Sequence, residues 1–138
     1  MARDVKGFMP HDEGLGLHRA ALEAGAGGVI VEVGSYCGKS TVYIGSAAAE
    51  VGATVFTIDH HRGSEEMQAG WDHHDTSLVD TRTGRMDSLP LLRETLERAG
   101  LEDVVVVEGF DKTVVVTPED REGFMAALSA AGARLAPS

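Results

Sequence analysis

The chain has little cysteine and little positive charge. It contains one cysteine, Cys37, and 12 lysine and arginine residues against 22 aspartate and glutamate residues. A single cysteine excludes an intramolecular disulfide, and a formal net charge of −10 makes phosphate backbones and anionic membrane surfaces poor partners. No apolar run approaches the roughly 18 residues of a membrane span, and no basic start precedes an apolar leader segment. We therefore expect a cytoplasmic protein that binds neither nucleic acid nor membrane.

The length bounds the number of domains. At 138 residues and 43% hydrophobic content, the chain can fill one core of ordinary size but not two. We find no internal repeat or low-complexity segment in it. Residues 1–138 are therefore predicted to form a single domain.

The most informative stretch is residues 29–40, which read Val-Ile-Val-Glu-Val-Gly-Ser-Tyr-Cys-Gly-Lys-Ser. An apolar, β-branched run predicts a buried strand, and an amphipathic segment over residues 39–50 predicts a helix. Gly34 and Gly38 lie in the turn between them and allow the backbone to approach a ligand closely. Because the N–H groups that open a helix favour an anionic group, this turn is a candidate small-molecule site.

A second strand, residues 53–59, follows the helix and ends in Asp59. In a parallel strand–helix–strand unit, Asp59 lies at the same sheet edge as Gly34. It comes 21 positions after Gly38 (59 − 38), close to the roughly 20-residue spacing at which an acidic residue meets the ribose hydroxyls of a nucleotide cofactor. A helix cap or a loop turn is the alternative role for this aspartate.

Residues 60–85 have little periodicity, and we interpret them as a loop that forms a polar lid over the site. Two histidine pairs, at positions 60–61 and 73–74, and nearby carboxylates offer an alternative role in metal binding, but their spacing matches no known ligand motif. Trp71 is expected to anchor the lid against apolar surface. No metal site is therefore assigned.

Three helices and a third strand complete the prediction. Asp12 is expected to cap a helix to Ala24 whose core face carries Leu15, His18 and Leu22, while residues 1–10 form an arm. A helix over residues 88–99 precedes a valine-rich strand, residues 103–108, that is expected to be central or nearly central in the sheet. Residues 112–117 then form an antiparallel partner of this strand or its bent continuation, before a final helix. The fold class is three-layer, Rossmann-like α/β, with a mostly parallel sheet of about four strands.

These residues resemble the start of a class I S-adenosylmethionine-dependent methyltransferase of the small-molecule O-methyltransferase type. Glu32, Gly34 and Gly38 match the family's first motif, an acidic residue, any residue and a glycine, with a second glycine shortly after. Asp59 matches its acidic residue after the second strand. The similarity covers about residues 8–110.

The resemblance implies a cofactor site at the sheet edge. Ser35 and the backbone from Gly34 to Gly38 would face the methionine end of S-adenosylmethionine, and Asp59 the ribose. Residues at the end of the third strand would lie beside the adenine, and His60 and His61 are the nearest candidates for a catalytic base. The full set of predicted cofactor-binding residues is Glu32, Gly34, Ser35, Gly38, Asp59, His60, Glu108, Gly109 and Phe110.

The family's sheet continues to a fourth strand, for which residues up to Ser138 show no equivalent. We therefore expect either a shortened relative or a homodimer that completes the sheet. The activity implied is methyl transfer to a small hydroxylated acceptor, with a non-catalytic cofactor-binding module as the alternative. No catalytic residue is assigned.

Gly-Lys-Ser at residues 38–40 also suggests a phosphate-binding P-loop. That loop needs four residues between its first glycine and the Gly-Lys pair, whereas Gly34 and Gly38 enclose three. Nucleoside triphosphate binding is therefore a weaker alternative. Lys39 is expected to point to solvent. Cys37, near a helix start but without an obvious partner, is expected to be inert.

Overall fold

The computed structural model describes residues 1–63, 67 and 75–109. Its helices and strands, in chain order, are α1 (His11–Ala24), β1 (Val29–Val33), α2 (Lys39–Val51), β2 (Thr54–Asp59), β3 (Val79–Asp80), β4 (Arg85–Met86), α3 (Leu89–Ala99) and β5 (Val105–Gly109). The predicted strand of residues 112–117 and the final helix lie outside the described residues.

β1, β2 and β5 form one parallel sheet in that order. The predicted mixed α/β class with a mostly parallel sheet is thus confirmed, and the described residues supply three of its strands. The Gly34 N–H donates to the Ile58 carbonyl at 2.9 Å, so the ladder continues into the turn after β1. Gly109 lies opposite Asp59 in the register. The ends of all three strands therefore meet at one edge, called the rim below.

The main core lies between one face of this sheet and the helices. Val55 and Val105 are opposite each other on β2 and β5, and both are buried. They belong to one apolar cluster with α2 and α3 residues, including Leu92 and Leu96. The apolar spacing of Leu89, Leu92, Leu96 and Ala99 predicts the core face of α3, and all four lie in or against this cluster. Gly100 ends this helix in the left-handed region, at φ 64°.

Among the described residues, β2 is the middle strand of the sheet, and β5 pairs with it on one side. Val106, on the face of β5 away from the helices, is 38% exposed. β1 lies at the other end of the described sheet, and its Val29 and Val33 are 57% and 56% exposed. The predicted partner of β5, residues 112–117, lies outside the described residues, so the central or nearly central position of the valine-rich strand stays a prediction.

Helix α1 packs through small residues together with part of the predicted face: Leu22 packs against the core as predicted, but Leu15 does not. Leu15 is 44% exposed, whereas Gly14 and Ala21 are buried. A Cβ atom at Gly14 would lie 2.3 Å from the Tyr43 ring, so only glycine permits this approach of α1 to α2. Asp12, predicted as the cap, lies in the first turn instead.

Two segments predicted as irregular are more ordered than expected. The first ten residues contain a short 3-10 helix, Ala2–Asp4, and Ala2 packs against the main core. The predicted loop of residues 60–85 contains a second 3-10 helix, Thr76–Leu78, followed by the antiparallel hairpin of β3 and β4. Trp71, His73 and His74 lie outside the described residues.

Every helix in the described part of the chain falls short of the length and apolarity that a bilayer crossing requires.

Candidate functional site

The turn between β1 and α2 has an unusual backbone. Gly34, Tyr36 and Gly38 all have positive φ angles, of 90°, 50° and 91°. Such angles are routine for glycine but uncommon for a bulky residue such as tyrosine. The Gly38 N–H closes the turn by donating to the Ser35 carbonyl at 2.8 Å. The turn is therefore a tightly specified structure rather than a loose connection.

The two glycines serve different purposes. A Cβ atom at Gly38 would lie 2.7 Å from Cδ1 of Leu92, so this glycine permits close packing of the turn against α3. A Cβ atom at Gly34 would meet nothing within 4 Å. The space beside Gly34 is open, as an approaching ligand would require.

Asp59 joins the end of β2 to this turn. Its Oδ2 accepts a hydrogen bond from the Tyr36 N–H at 2.8 Å, and its Oδ1 accepts one from the His61 N–H at 2.8 Å. A carboxylate offers about four acceptor positions. Among the described residues, each Asp59 oxygen thus retains one acceptor position.

Glu32, from β1, lies in a different environment. It is 8% exposed, and its carboxylate accepts hydrogen bonds from three hydroxyl groups. Ser40 donates to Oε1 at 2.5 Å, while Thr41 and Thr57 donate to Oε2 at 2.6 and 2.7 Å. Short distances of this kind are typical of hydroxyl-to-carboxylate bonds. Glu32 therefore connects β1 to the first turn of α2 and to β2.

His61 is nearly buried, at 4% exposure, and has a φ angle of 59°. Its Nδ1 is hydrogen-bonded to Ser88 Oγ at 3.0 Å, whereas its Nε2 is buried without a partner in the described structure. An unsatisfied buried polar atom costs roughly 1–3 kcal/mol. Burial lowers the pKa of His61 below 6.5, and this effect outweighs the opposing influence of Asp59.

His60 is half-buried at the end of β2, and its Nδ1 accepts a hydrogen bond from the Arg62 N–H at 2.9 Å. A neutral ring that accepts at Nδ1 carries its proton on Nε2. In that tautomer, the second ring nitrogen of His60 is a donor.

The other predicted cofactor residues take the following positions. Ser35 is 2% exposed, and its Oγ has no hydrogen-bond partner in the described structure. Glu108 and Gly109 are exposed at the end of β5, where they pair with Ile58 and Asp59. Phe110 lies outside the described residues. The rim thus brings together the turn and the ends of β2 and β5.

Cys37 is completely buried beneath the β3–β4 hairpin, against Leu78 and Met86. Burial raises the pKa of its thiol to about 11. A thiol with this pKa is protonated at neutral pH, which supports the expectation that Cys37 is inert.

The N-terminal residues lie across the turn. The Phe8 ring stacks on Tyr36 with centroids 5.7 Å apart, and Lys6 forms an ion pair with Asp75. Lys39 does not point to solvent as predicted: its Nζ donates to the Gly7 carbonyl at 3.4 Å.

These contacts weaken the P-loop alternative. In a P-loop, the lysine reaches the phosphates and the next hydroxyl binds magnesium. Here the Lys39 ammonium turns towards the N-terminal residues, and the Ser40 hydroxyl donates to Glu32. Neither side chain is arranged for a triphosphate.

The described residues contain no group of three or more histidine, cysteine or acidic side chains that could hold a metal ion. Two surface pockets, of about 160 and 580 Å³, lie beside α3, and neither is lined by Gly34 or Asp59.

Sequence reasoning missed the hydroxyl groups of Ser40, Thr41 and Thr57. The available signal was two consecutive hydroxyl residues at the start of the helix that follows the acidic strand residue Glu32. The second signal was a threonine, Thr57, within an apolar strand. It also missed Tyr36, whose N–H contacts Asp59. A tyrosine with positive φ cannot be recognised from residue type.

Comparison with known proteins was made at the levels of sequence family and structure. Residues 31–130 match a family model described as a methyltransferase domain. The solved structure of an O-methyltransferase from Bacillus cereus in complex with SAH is similar at 16% identity and a TM-score of 0.50. A protein from Klebsiella pneumoniae assigned as an O-methyltransferase is similar at 14% identity and a TM-score of 0.51. At these identities, the two structures support the Rossmann-like fold alone.

The matched regions differ in how much of each protein they include. The two alignments cover 99% and 88% of this chain but 46% and 51% of the Bacillus and Klebsiella proteins. The chain thus spans about half the length of the solved structures that it resembles.

Proposed function

The chain belongs to the class I S-adenosylmethionine-dependent methyltransferases, and from this premise we propose that it binds S-adenosylmethionine at the rim and methylates a small hydroxylated acceptor. The observation that carries the proposal is the Asp59 carboxylate. It is fixed against the Gly34–Gly38 turn by the Tyr36 N–H and keeps one acceptor position on each oxygen. Two such positions match the two hydroxyls of a ribose.

The remaining cofactor groups have counterparts along the rim. We assign the open space beside Gly34 and the unpartnered Ser35 hydroxyl to the methionine end, which carries a carboxylate and an amine. The first turn of α2, which begins after Gly38, adds backbone N–H groups that favour a carboxylate. Glu108 and Gly109 are assigned to the adenine side, and His60 borders the ribose. The chemistry of these residues supports the assignment, since hydroxyl, N–H and carboxylate groups can pair with the polar groups of the cofactor.

We propose that Glu32 serves the site without touching the ligand. Its three hydroxyl partners occupy most of its acceptor positions, and its carboxylate is buried. By connecting β1, α2 and β2, it fixes the start of the turn that the cofactor contacts. This role explains an acidic residue at the first position of the motif.

The cofactor supplies an electrophilic methyl group on a sulfonium. The residues at the rim would contribute chiefly by positioning, since holding a nucleophile in line with that methyl group can provide much of the rate enhancement. We do not propose either rim histidine as a base, since His61 Nε2 is buried and the neutral His60 tautomer donates at Nε2. We assign no catalytic residue and no metal.

The Asp59 carboxylate also favours a second candidate function, because it accounts for cofactor binding but not for catalysis. A chain that holds the cofactor but offers no group to activate an acceptor would act as a cofactor-binding module. Turnover separates the two candidates, because a module binds S-adenosylmethionine but methylates nothing.

We also propose that two copies of this chain associate through the β1 edge. Among the described strands, β1 pairs on one side with β2, and its Val29 and Val33 are more than half exposed. Sedimentation equilibrium would test this: a dimer that Val33→Lys dissociates supports the proposal, and a monomer at all concentrations contradicts it. A single domain over residues 1–138 and a cytoplasmic location also remain proposals.

The proposed function is tested first by calorimetric titration of the full chain with S-adenosylmethionine and S-adenosylhomocysteine. We expect binding that Asp59→Asn weakens strongly and that Asp80→Asn, a matched change in the β3–β4 hairpin, leaves intact. A second assay follows labelled methyl transfer to phenols and sugar hydroxyls. Absence of binding contradicts the whole proposal, whereas binding without transfer selects the module.

A further inference from the structure

His61 connects the Asp59 carboxylate to the start of α3. On one side, its N–H donates to Asp59 Oδ1 at 2.8 Å. On the other side, its carbonyl accepts from the Ser88 N–H at 3.1 Å, and its ring is hydrogen-bonded to Ser88 Oγ at 3.0 Å. Ser88 is 1% exposed and His61 is 4% exposed, so both residues of this second contact lie in the interior.

This arrangement places His61 in an energetically unfavourable conformation and environment. The φ angle of 59° is uncommon for a residue other than glycine, and the Nε2 atom is buried without a partner in the described structure. Strained and unsatisfied groups persist where the surrounding structure holds them, and they concentrate at functional sites. The left-handed backbone turns the His61 N–H back to the carboxylate two residues earlier.

Ser88 is itself well anchored. It occupies the N-cap position of α3, and its carbonyl accepts from the Leu92 N–H at 3.0 Å. Leu92 is completely buried and lies against the Gly38 position of the turn. The Ser88–His61 contact therefore connects Asp59 to α3, the helix against which the turn also packs.

We propose that His61 is a positioning residue that fixes the Asp59 carboxylate for the ribose hydroxyls, with Ser88 as its anchor. The inference rests on the proposed function, since it assigns Asp59 to the ribose. His61 acts through Asp59 and not on the substrate. Loss of the anchor should therefore weaken recognition of the ribose hydroxyls specifically, rather than cofactor binding uniformly.

The test compares S-adenosylhomocysteine with its 2′-deoxy analogue by calorimetric titration of the full chain. Ser88→Ala removes the hydroxyl anchor but keeps the backbone contact and most of the packing. One hydrogen bond lost should reduce the preference of the protein for the ribose hydroxyl by roughly three- to tenfold. Ser46→Ala is the matched control, because the Ser46 hydroxyl bonds within α2 to the Val42 carbonyl.

His61→Asn provides a second variant, since asparagine tolerates a left-handed backbone but lacks the imidazole. We expect it to lower the same preference, and its melting temperature reports whether it folds. In a double-mutant cycle, Ser88→Ala should have little further effect once Asp59 is Asn, because the two residues act along one path.

The outcomes separate the two proposals. If the wild-type chain prefers S-adenosylhomocysteine to the deoxy analogue and Ser88→Ala keeps that preference unchanged, the positioning role is wrong while the proposed function stands. Equal losses for both ligands would also overturn it, because they indicate a general structural effect. If the wild-type chain binds neither ligand, the proposed function fails and this inference fails with it.

Discussion

Glu32 and Asp59 are acidic residues near the ends of neighbouring parallel strands, yet their surroundings differ. Glu32 accepts from three side-chain hydroxyls and is buried, whereas Asp59 accepts from two backbone N–H groups and is half-buried at the rim. Hydroxyl partners occupy most of the first carboxylate, while backbone partners orient the second and leave acceptor positions on it. The comparison teaches that a carboxylate whose acceptor positions are filled stabilises the structure, whereas one that keeps acceptor positions is available to a ligand, as we propose for Asp59.

The largest expected effect is on stability and comes from Glu32→Ala. The hydroxyls of Thr41 and Thr57 are completely buried and would lose their acceptor. At roughly 1–3 kcal/mol for each, the free energy of unfolding should fall by about 4 kcal/mol. Urea denaturation measures this change. Thr57→Val, which removes one donor, is the matched control with a smaller loss. An equal loss in both variants would contradict the role of Glu32 in connecting β1, α2 and β2.

The second effect is on binding and comes from Asp59→Asn. The amide keeps one acceptor oxygen but places an N–H₂ group where the other backbone donor points. Affinity for S-adenosylhomocysteine should fall roughly 30-fold, as expected for loss of a hydrogen bond to a charged group. Calorimetry measures the affinity, and thermal unfolding shows whether stability changes less than in Glu32→Ala. A larger loss of stability in Asp59→Asn than in Glu32→Ala would contradict the comparison.

The third effect concerns pH, because a partner of Asp59 titrates while the hydroxyl partners of Glu32 do not. The pKa of His61 is lowered by burial, so below pH 6.5 the unfolded chain binds a proton that the folded chain resists. Stability is then fully present above pH 6.5 and falls as the pH drops towards the folded pKa, by at most about 1.4 kcal/mol per pH unit.

Urea denaturation between pH 7.5 and 5.5 measures this dependence. The charged groups that influence the His61 ring are Asp59, Asp87, His60 and Arg93. His61→Asn should flatten the profile over this range. An unchanged profile in that variant would assign the pH dependence to another group.

The smallest effect is expected at Asp75, a third carboxylate on the surface. Hydrogen bonds from Lys6 and Ser77 lower its pKa to about 2, from 3.8. Its stabilisation is present above pH 3.8 and is lost as the pH falls towards 2. Because the ion pair with Lys6 is partly exposed, Asp75→Asn should cost less than about 1 kcal/mol at neutral pH, with less effect at high salt. A loss as large as that of Glu32→Ala would contradict the ranking by burial.

Much of the fold follows from local sequence signals. The strand of residues 29–33 and the α2 helix were predicted from apolar runs and glycine turns, and the structure places both close to the expected bounds. Asp59 was expected beside the turn from its spacing, and its contact with the Tyr36 N–H confirms that proximity. These features depend on residues near one another along the chain.

Other features depend on tertiary contacts that residue patterns do not encode. Periodicity placed Leu15 in the core, but the close approach of α1 to Tyr43 requires small residues such as Gly14. The two-residue strands of the β3–β4 hairpin are too short to show an alternation of apolar and polar residues. The partners of Glu32 come from α2 and from β2 and became visible only with the register.

The burial of Cys37 beneath Leu78 and Met86 has a practical consequence. As the chain's only cysteine, it is a natural probe of local opening. A maleimide or disulfide reagent can reach the sulfur only when the hairpin lifts away from the glycine turn, so the labelling rate in native buffer reports how often this corner opens. A ligand that stabilises the turn would slow that rate. The rate therefore gives a screen that requires neither a labelled ligand nor a known acceptor.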